Sequence, residues 1–116
     1  MLQLCRLDDL VAGKPRRVKV GDHHLLAVRT GDNAVRIFLN RCPHLGIPLA
    51  WQDAQLLSAD GAHLQCSTHG ALFLFDTGFC VSGPCQGDQL WSFTCEVVAG
   101  DVFLDETELP TLPTAR

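Results

Sequence analysis

Cys42-Pro43-His44-Leu45-Gly46-Ile47-Pro48-Leu49 and Cys66-Ser67-Thr68-His69-Gly70 are the two stretches that decide how this chain is read. Each puts one thiol and one imidazole into a short loop carrying glycine or proline, and each follows a run of strand-like alternation. A single Cys-x-His or Cys-x-x-His spacing carries little information. The conjunction of two such loops in one short chain is far more specific.

The alternation outside the loops predicts an all-β fold. Before the first loop, residues 1–7 read as a strand, followed by a short helical turn or loop through Asp8-Asp9-Leu10 and Gly13-Lys14-Pro15. Residues 17–20 then alternate charged and apolar side chains, and residues 23–29 and 34–39, the latter with Val35, Ile37 and Leu39 on one face, read as two further strands; turns at Gly21-Asp22 and Gly31-Asp32-Asn33 separate the three, which predicts an antiparallel meander ending at Asn40-Arg41. Between the loops, residues 55–57 and 62–65 flank a turn at Ala59-Asp60-Gly61. Beyond the second loop, residues 71–75 are apolar throughout and predict a buried strand, which Asp76-Thr77-Gly78 turns back through residues 79–81. A breaker-rich segment, Ser82-Gly83-Pro84-Cys85-Gln86-Gly87-Asp88, follows. Residues 90–98 and 102–104 predict a closing hairpin, and residues 106–116, with Pro110 and Pro113, an extended, frayed tail. No window holds a sustained 3.6-residue period.

Composition narrows the function. A chain of 116 residues with 47% hydrophobic side chains suits one domain with its own core. Its 13 acidic and 9 basic side chains give a net charge of −4 without a basic patch, so neither nucleic acid nor a membrane surface is an expected partner. The first residues lack a basic flank followed by an apolar run, and a cytoplasmic location is the expectation. In a reducing compartment, six cysteines point to metal binding before disulfides.

Two thiols and two imidazoles fit two kinds of centre. Zinc accepts Cys₂His₂ in a closed tetrahedral shell, and a 2Fe-2S cluster accepts two cysteines on one iron and two histidines on the other. On ligand chemistry alone both stay open.

Cys42-Pro43-His44-Leu45-Gly46-Ile47-Pro48-Leu49 resembles the first cluster-binding box of Rieske proteins. Cys66-Ser67-Thr68-His69-Gly70, with Phe73, Asp76-Thr77-Gly78 and Gly83-Pro84, resembles the second box and the proline-bearing loop that shields the cluster. The resemblance implies a single domain over residues 1–116: an antiparallel β-sandwich or barrel base with a cluster-binding subdomain, about residues 40–86, inserted into it. It further implies one 2Fe-2S cluster per chain, with Cys42 and Cys66 on the inner iron and His44 and His69 on the outer one. The chain departs from the family in two ways. Residues 45–65 form a longer spacer than most members have, and Ser67 and Thr68 stand where a proline and an aromatic are usual.

The function so implied is one-electron transfer by a small soluble ferredoxin that is not itself an enzyme. Its donor would be a flavin-dependent reductase fed by NADH, and its acceptor the terminal oxygenase of a ring-hydroxylating system. Two alternatives are the small subunit of a nitrite-reductase-like enzyme and, in another class, a zinc-stabilised interaction module. High-potential members carry a serine after the second box's glycine, a nearby tyrosine and a loop-bridging disulfide. Here Ala71 follows Gly70, no tyrosine is present, and neither box has a second cysteine, which predicts a potential at the low end of the family's range.

The remaining chemistry-bearing residues read as framework. His23 and His24 are expected on a solvated edge, His63 as a hydrogen-bonded surface histidine, and Cys5 and Cys95 as small core residues. Trp51 and Trp91 are expected as core or rim packing. Cys80 and Cys85 flank the glycine-proline loop, either as thiols or as a bridge. Arg41, beside the first ligand, is set either to pair with a partner's carboxylate or to stay hydrated.

Overall fold

The structure, a computed structural model, describes residues 2–21, 23–41, 56–66, 70–83 and 86–109. Among them ten strands form three antiparallel sheets. The strands are β1 (Leu2–Arg6), β2 (Arg16–Val20), β3 (His23–Arg29), β4 (Val35–Leu39), β5 (Leu64–Gln65), β6 (Leu72–Phe73), β7 (Cys80–Ser82), β8 (Ser92–Phe93), β9 (Cys95–Val98) and β10 (Asp101–Leu104). The sheet orders are β1-β10-β9, β2-β3-β4-β8 and β5-β6-β7. Among the described residues no helix is long and apolar enough to cross a membrane.

The meander follows its alternation pattern. β2, β3 and β4 pair in sequence order, with Val18 opposite Leu25 and Ala27 opposite Ile37. Because side chains alternate, β3 is apolar on both faces. Leu25 and Ala27 join Ile37, Leu39, Val102 and Leu104 in one buried cluster, while Leu26 and Val28 join Phe38, Leu64, Cys66, Ala71, Phe73 and Cys80 in another. The central sheet is thus the middle layer. One face carries the sheet of the two chain ends, and the other carries the sheet that leads into the second Cys/His loop.

Arg29 fastens one edge of this layer. Its guanidinium donates to the carbonyl oxygens of Gly31 at 3.0 Å, Asp32 at 2.8 Å and Leu10 at 3.1 Å. One guanidinium thereby closes the Gly31-Asp32-Asn33 turn and holds the 3₁₀ turn at Leu7–Asp9 against it.

Three segments differ from the sequence expectation. Residues 90–98 are not one strand: Ser92 pairs with Phe38 in the central sheet, whereas Cys95 pairs with Leu104 in the terminal one. The corner falls at Thr94, whose backbone N–H and hydroxyl both donate to the Glu108 carboxylate, and whose carbonyl accepts from Asp105 N at 3.0 Å. With its polar groups satisfied outside a ladder, the chain changes sheets there at no cost in lost hydrogen bonds. The same contacts correct the start of the tail, because Glu106–Glu108 is an ordered 3₁₀ turn in which Asp105 accepts from Thr107 N, while residues 110–116 lie outside the described residues. The third difference is residues 71–75, where only Leu72–Phe73 is strand and Leu74 is exposed at the base of a turn closed by Gly78 N donating to Leu74 O at 2.9 Å.

Candidate metal centre

The first Cys/His loop leaves the end of β4 in the middle layer, and the second leaves β5 in the sheet packed against that layer. At the end of β4, Asn40 N donates to His24 O and Arg41 N donates to Leu39 O, each at 2.8 Å. The second bond spans only two residues, a γ-turn of the kind found at strand ends, and it throws the chain off the sheet one residue before Cys42. The abrupt end at Asn40-Arg41 therefore has a local cause.

The second loop is closed on itself. Cys66 N donates to Ala71 O at 2.9 Å, and Gly70 N donates to Cys66 O at 2.8 Å. The sharp return puts Gly70 at φ +70°, a left-handed value that glycine tolerates best. Cys66 itself is fully buried, one residue beyond β5, among Leu26, Phe38, Leu64, Ala71 and Cys80. The hairpin that delivers it is shorter than residues 55–57 and 62–65 suggest: Leu57 makes a single bridge to Leu64, Ser58 N donates to His63 O at 3.0 Å, only Leu64–Gln65 is strand, and residue 55 lies outside the described residues. Its turn is tied by Asp60, which accepts from the Ser58 hydroxyl and from Ala62 N at 3.0 Å, and these bonds hold its carboxyl below the usual carboxylate range.

A third loop is seated against the second. Gly83 sits at φ +103°, and a β-carbon there would lie 2.7 Å from Ala71 Cα. Backbone meets backbone, so glycine is the one residue that lets the two loops close. The loop is held from below by Cys80 N to Asp88 O at 2.8 Å and Gln86 N to Gly83 O at 3.1 Å. Gly78 does the corresponding work one turn earlier: at φ +75°, its missing β-carbon leaves room for the Phe38 ring, whose Cε1 would otherwise lie 2.9 Å away. This contact locks the β6–β7 turn onto the middle layer.

Of the four proposed ligands, the structure describes Cys66. Cys42, His44 and His69 lie outside the described residues, as do Trp51, Pro84 and Cys85. Among the described residues no group of three or more His, Cys, Asp or Glu stands together as a metal site. Of that donor set, the described part is one thiol. One thiol is buried at the root of a tightly closed loop, and a glycine-only contact presses a further loop against it.

The other singled-out residues are framework, with one correction. His24 is exposed, and Trp91 is an exposed rim residue whose ring lies 6.3 Å from that of Phe93. Cys5 and Cys95 border the terminal core cluster, and burial pushes both thiols up. Cys80 is buried, and its Sγ donates to Ser82 O. His63 is the correction: instead of a hydrogen-bonded surface ring, it is three-quarters covered, with Nδ1 buried, 3.7 Å from the Asp60 carboxylate and beyond hydrogen-bond reach. Sequence reading missed Arg29 and the packing role of Gly78, since nothing in the local pattern marks which carbonyls or which ring they meet.

Comparison with known proteins agrees with this architecture. A sequence profile described as "Rieske [2Fe-2S] domain" matches residues 1–111. The ferredoxin component of the p-cumate 2,3-dioxygenase system of Pseudomonas putida is 30% identical over 105 residues, covering 90% of this chain and 85% of that protein. Among solved structures, the Sphingomonas yanoikuyae B1 ferredoxin superposes with a TM-score of 0.71 at 26% identity, covering 90% of this chain and 96% of its own. A chain in the complex of reduced oxygenase and oxidised ferredoxin in carbazole 1,9a-dioxygenase gives a TM-score of 0.70 at 32% identity, covering 89% and 99%.

Proposed function

The chain belongs to the Rieske [2Fe-2S] domain family, whose cofactor is a [2Fe-2S] cluster, and on that premise we propose that it is a ferredoxin serving the terminal oxygenase of a ring-hydroxylating dioxygenase system. The observation that carries the reading is the seating of the two loops: a fully buried Cys66, and a neighbouring loop that glycine at position 83 lets close against Ala71. The relatives that correspond over nearly their whole length are ferredoxins, one of them solved in a complex with its oxygenase.

In this reading residues of about 40–86 are the cluster-binding part. Cys42 and Cys66 hold one iron, and His44 and His69 hold the other. When bound, the cluster supplies one-electron redox chemistry within roughly −150 to +300 mV, above all-cysteine clusters because neutral imidazoles replace two anionic thiolates. The chain's own part is to exclude water and fix the ligands. Leu26, Phe38, Leu64 and Phe73 surround the root of the Cys66 loop, and the Gly83 contact presses the third loop onto it. A flavin-dependent reductase using NADH is the donor we assign, and a reducing cytoplasm the compartment.

Anaerobically purified protein is expected to be red-brown and to carry two irons and two acid-labile sulfides per chain. A colourless zinc protein, or one holding neither iron nor sulfide after reconstitution, ends this reading.

The potential is expected at the low end of the range, because the residue after Gly70 is Ala71, which is buried and has no side-chain donor. Ala71→Ser adds a hydroxyl there, and a hydrogen bond to a cluster sulfur raises the potential. Electrochemistry should therefore find Ala71→Ser above the parent protein. An unchanged value would mean that the hydroxyl does not reach a sulfur.

A further inference from the structure

We propose that the buried carboxamide of Asn40 is a positioning clasp for the first Cys/His loop, its oxygen accepting from backbone N–H groups of the residues that follow Arg41. The inference rests on the ferredoxin reading, in which that loop supplies Cys42 and His44, and adds how the loop is held to the sheet.

Burial singles the residue out. Asn40 and Ser58 are the buried polar residues among the described ones, each 7% exposed. Ser58 is accounted for inside its own hairpin, where its hydroxyl donates to Asp60 and accepts from His63 N. For Asn40 the backbone N–H is spent on His24 O, and the residue takes part in a further interaction. A buried carboxamide left unmet is costly, so nearly all such groups are paired.

Register fixes the face on which it stands. Leu39 lies opposite Leu25, and the bond from Asn40 N to His24 O carries the pairing one residue further. Side chains alternate along a strand, so position 40 shares its face with Phe38, Leu26 and Val28, while Ile37 and Leu39 take the other. On the β8 side, Phe38 pairs with Ser92 and Leu39 N donates to Trp91 O, which puts Leu90 next to Asn40. Leu90 belongs to the apolar cluster of Cys66 and Ala71 and has no polar side-chain atom to offer, and His24 on the opposite flank is exposed. The partner comes instead from the chain that turns off the sheet at Arg41.

The chemistry of that chain selects the oxygen. The γ-turn spends Arg41 N on Leu39 O, and β4 ends at Leu39, so its ladder offers nothing to the N–H groups beyond. An asparagine side-chain oxygen readily accepts from the backbone about two residues on. Pro43 has no N–H, which leaves the two ligands Cys42 and His44 as the first donors after Arg41.

The test compares parent holoprotein with Asn40→Leu, which keeps the volume, Asn40→Asp, which keeps the oxygen, and Thr94→Ala. The last deletes a hydroxyl bond to Glu108 at another place where the chain leaves the central sheet. Iron release to a chelator from Asn40→Leu is expected to be on the order of tenfold faster than from the parent, the factor that one lost buried hydrogen bond gives. Its rhombic resonance in the reduced state should be displaced, because the surroundings of the ligands tune the metal. Asn40→Asp should match the parent in both readouts, and Thr94→Ala should lower Tm and change neither.

An Asn40→Leu protein with the parent's release rate and resonance overturns the clasp. So does a Thr94→Ala protein that loses iron as fast as Asn40→Leu, since general destabilisation then explains the effect. If Asn40→Leu does not fold, Asn40→Asp decides: parent-like release and resonance support the oxygen's role, and faster release overturns it. Parent protein without iron and sulfide overturns the ferredoxin reading, whereas loaded parent with an indifferent Asn40→Leu overturns the clasp alone.

Discussion

Gly83→Ala protein is expected to lose about 2–4 kcal/mol of stability, on the order of 10 °C in Tm, and to release its iron far faster than the parent. Two costs combine. A left-handed backbone charges an L-residue roughly 1–2 kcal/mol, and Gly83 sits at φ +103°. The added methyl would also lie 2.7 Å from Ala71 Cα and 3.0 Å from Ala71 Cβ, and backbone cannot swing aside as a long side chain does. The loops must part, which costs typically 1–3 kcal/mol in a packed site and opens the root of the Cys66 loop to water.

Gly87 provides the control for that result. It has a similar φ of +97°, but nothing lies within 4 Å of where its β-carbon would stand. Gly87→Ala should therefore show the backbone cost and keep its iron. Thermal melting followed by circular dichroism, together with iron release to a chelator, separates the two contributions. Equal behaviour of the two variants would mean that the contact with Ala71 is not what holds the loops together.

The second large effect concerns two cysteines that burial does not distinguish. Cys66 and Cys80 are both fully buried and belong to the same apolar cluster. Cys66 stands at the root of the loop bearing His69. Cys80 begins β7, where its Sγ donates to Ser82 O. Cys66→Ala should abolish the visible spectrum and the rhombic resonance signal of the reduced state, as should His44→Ala and His69→Ala. Cys80→Ala removes one buried sulfur and one weak hydrogen bond, so it should cost about 1–2 kcal/mol and leave the spectrum intact. A coloured Cys66→Ala protein, or a colourless but folded Cys80→Ala protein, would reverse the assignment of the two thiols.

The parts of this molecule legible in its residues are those whose causes are local. Short strand-like runs bounded by turns at 21–22 and 31–33 place β3 and β4, because turn chemistry and strand composition are properties of a few consecutive residues. The donor chemistry of Cys42, His44, Cys66 and His69 is likewise carried by residue type. The run at 90–98 shows where such reading stops: it alternates well enough for one strand, and it is divided at Thr94 by Glu108, a residue fourteen positions away.

The amino-acid sequence by itself thus determined the all-β class, the meander and the family, since these depend on short-range pattern and on the chemistry of individual side chains. Only the tertiary structure decided that Gly83 must be glycine because of Ala71, that Gly78 must be glycine because of Phe38, and that Arg29 reaches the carbonyl of Leu10. Each of these is a meeting of residues far apart along the chain. Which atoms approach within a few ångströms is fixed by how the sheets stack, and no local period records it.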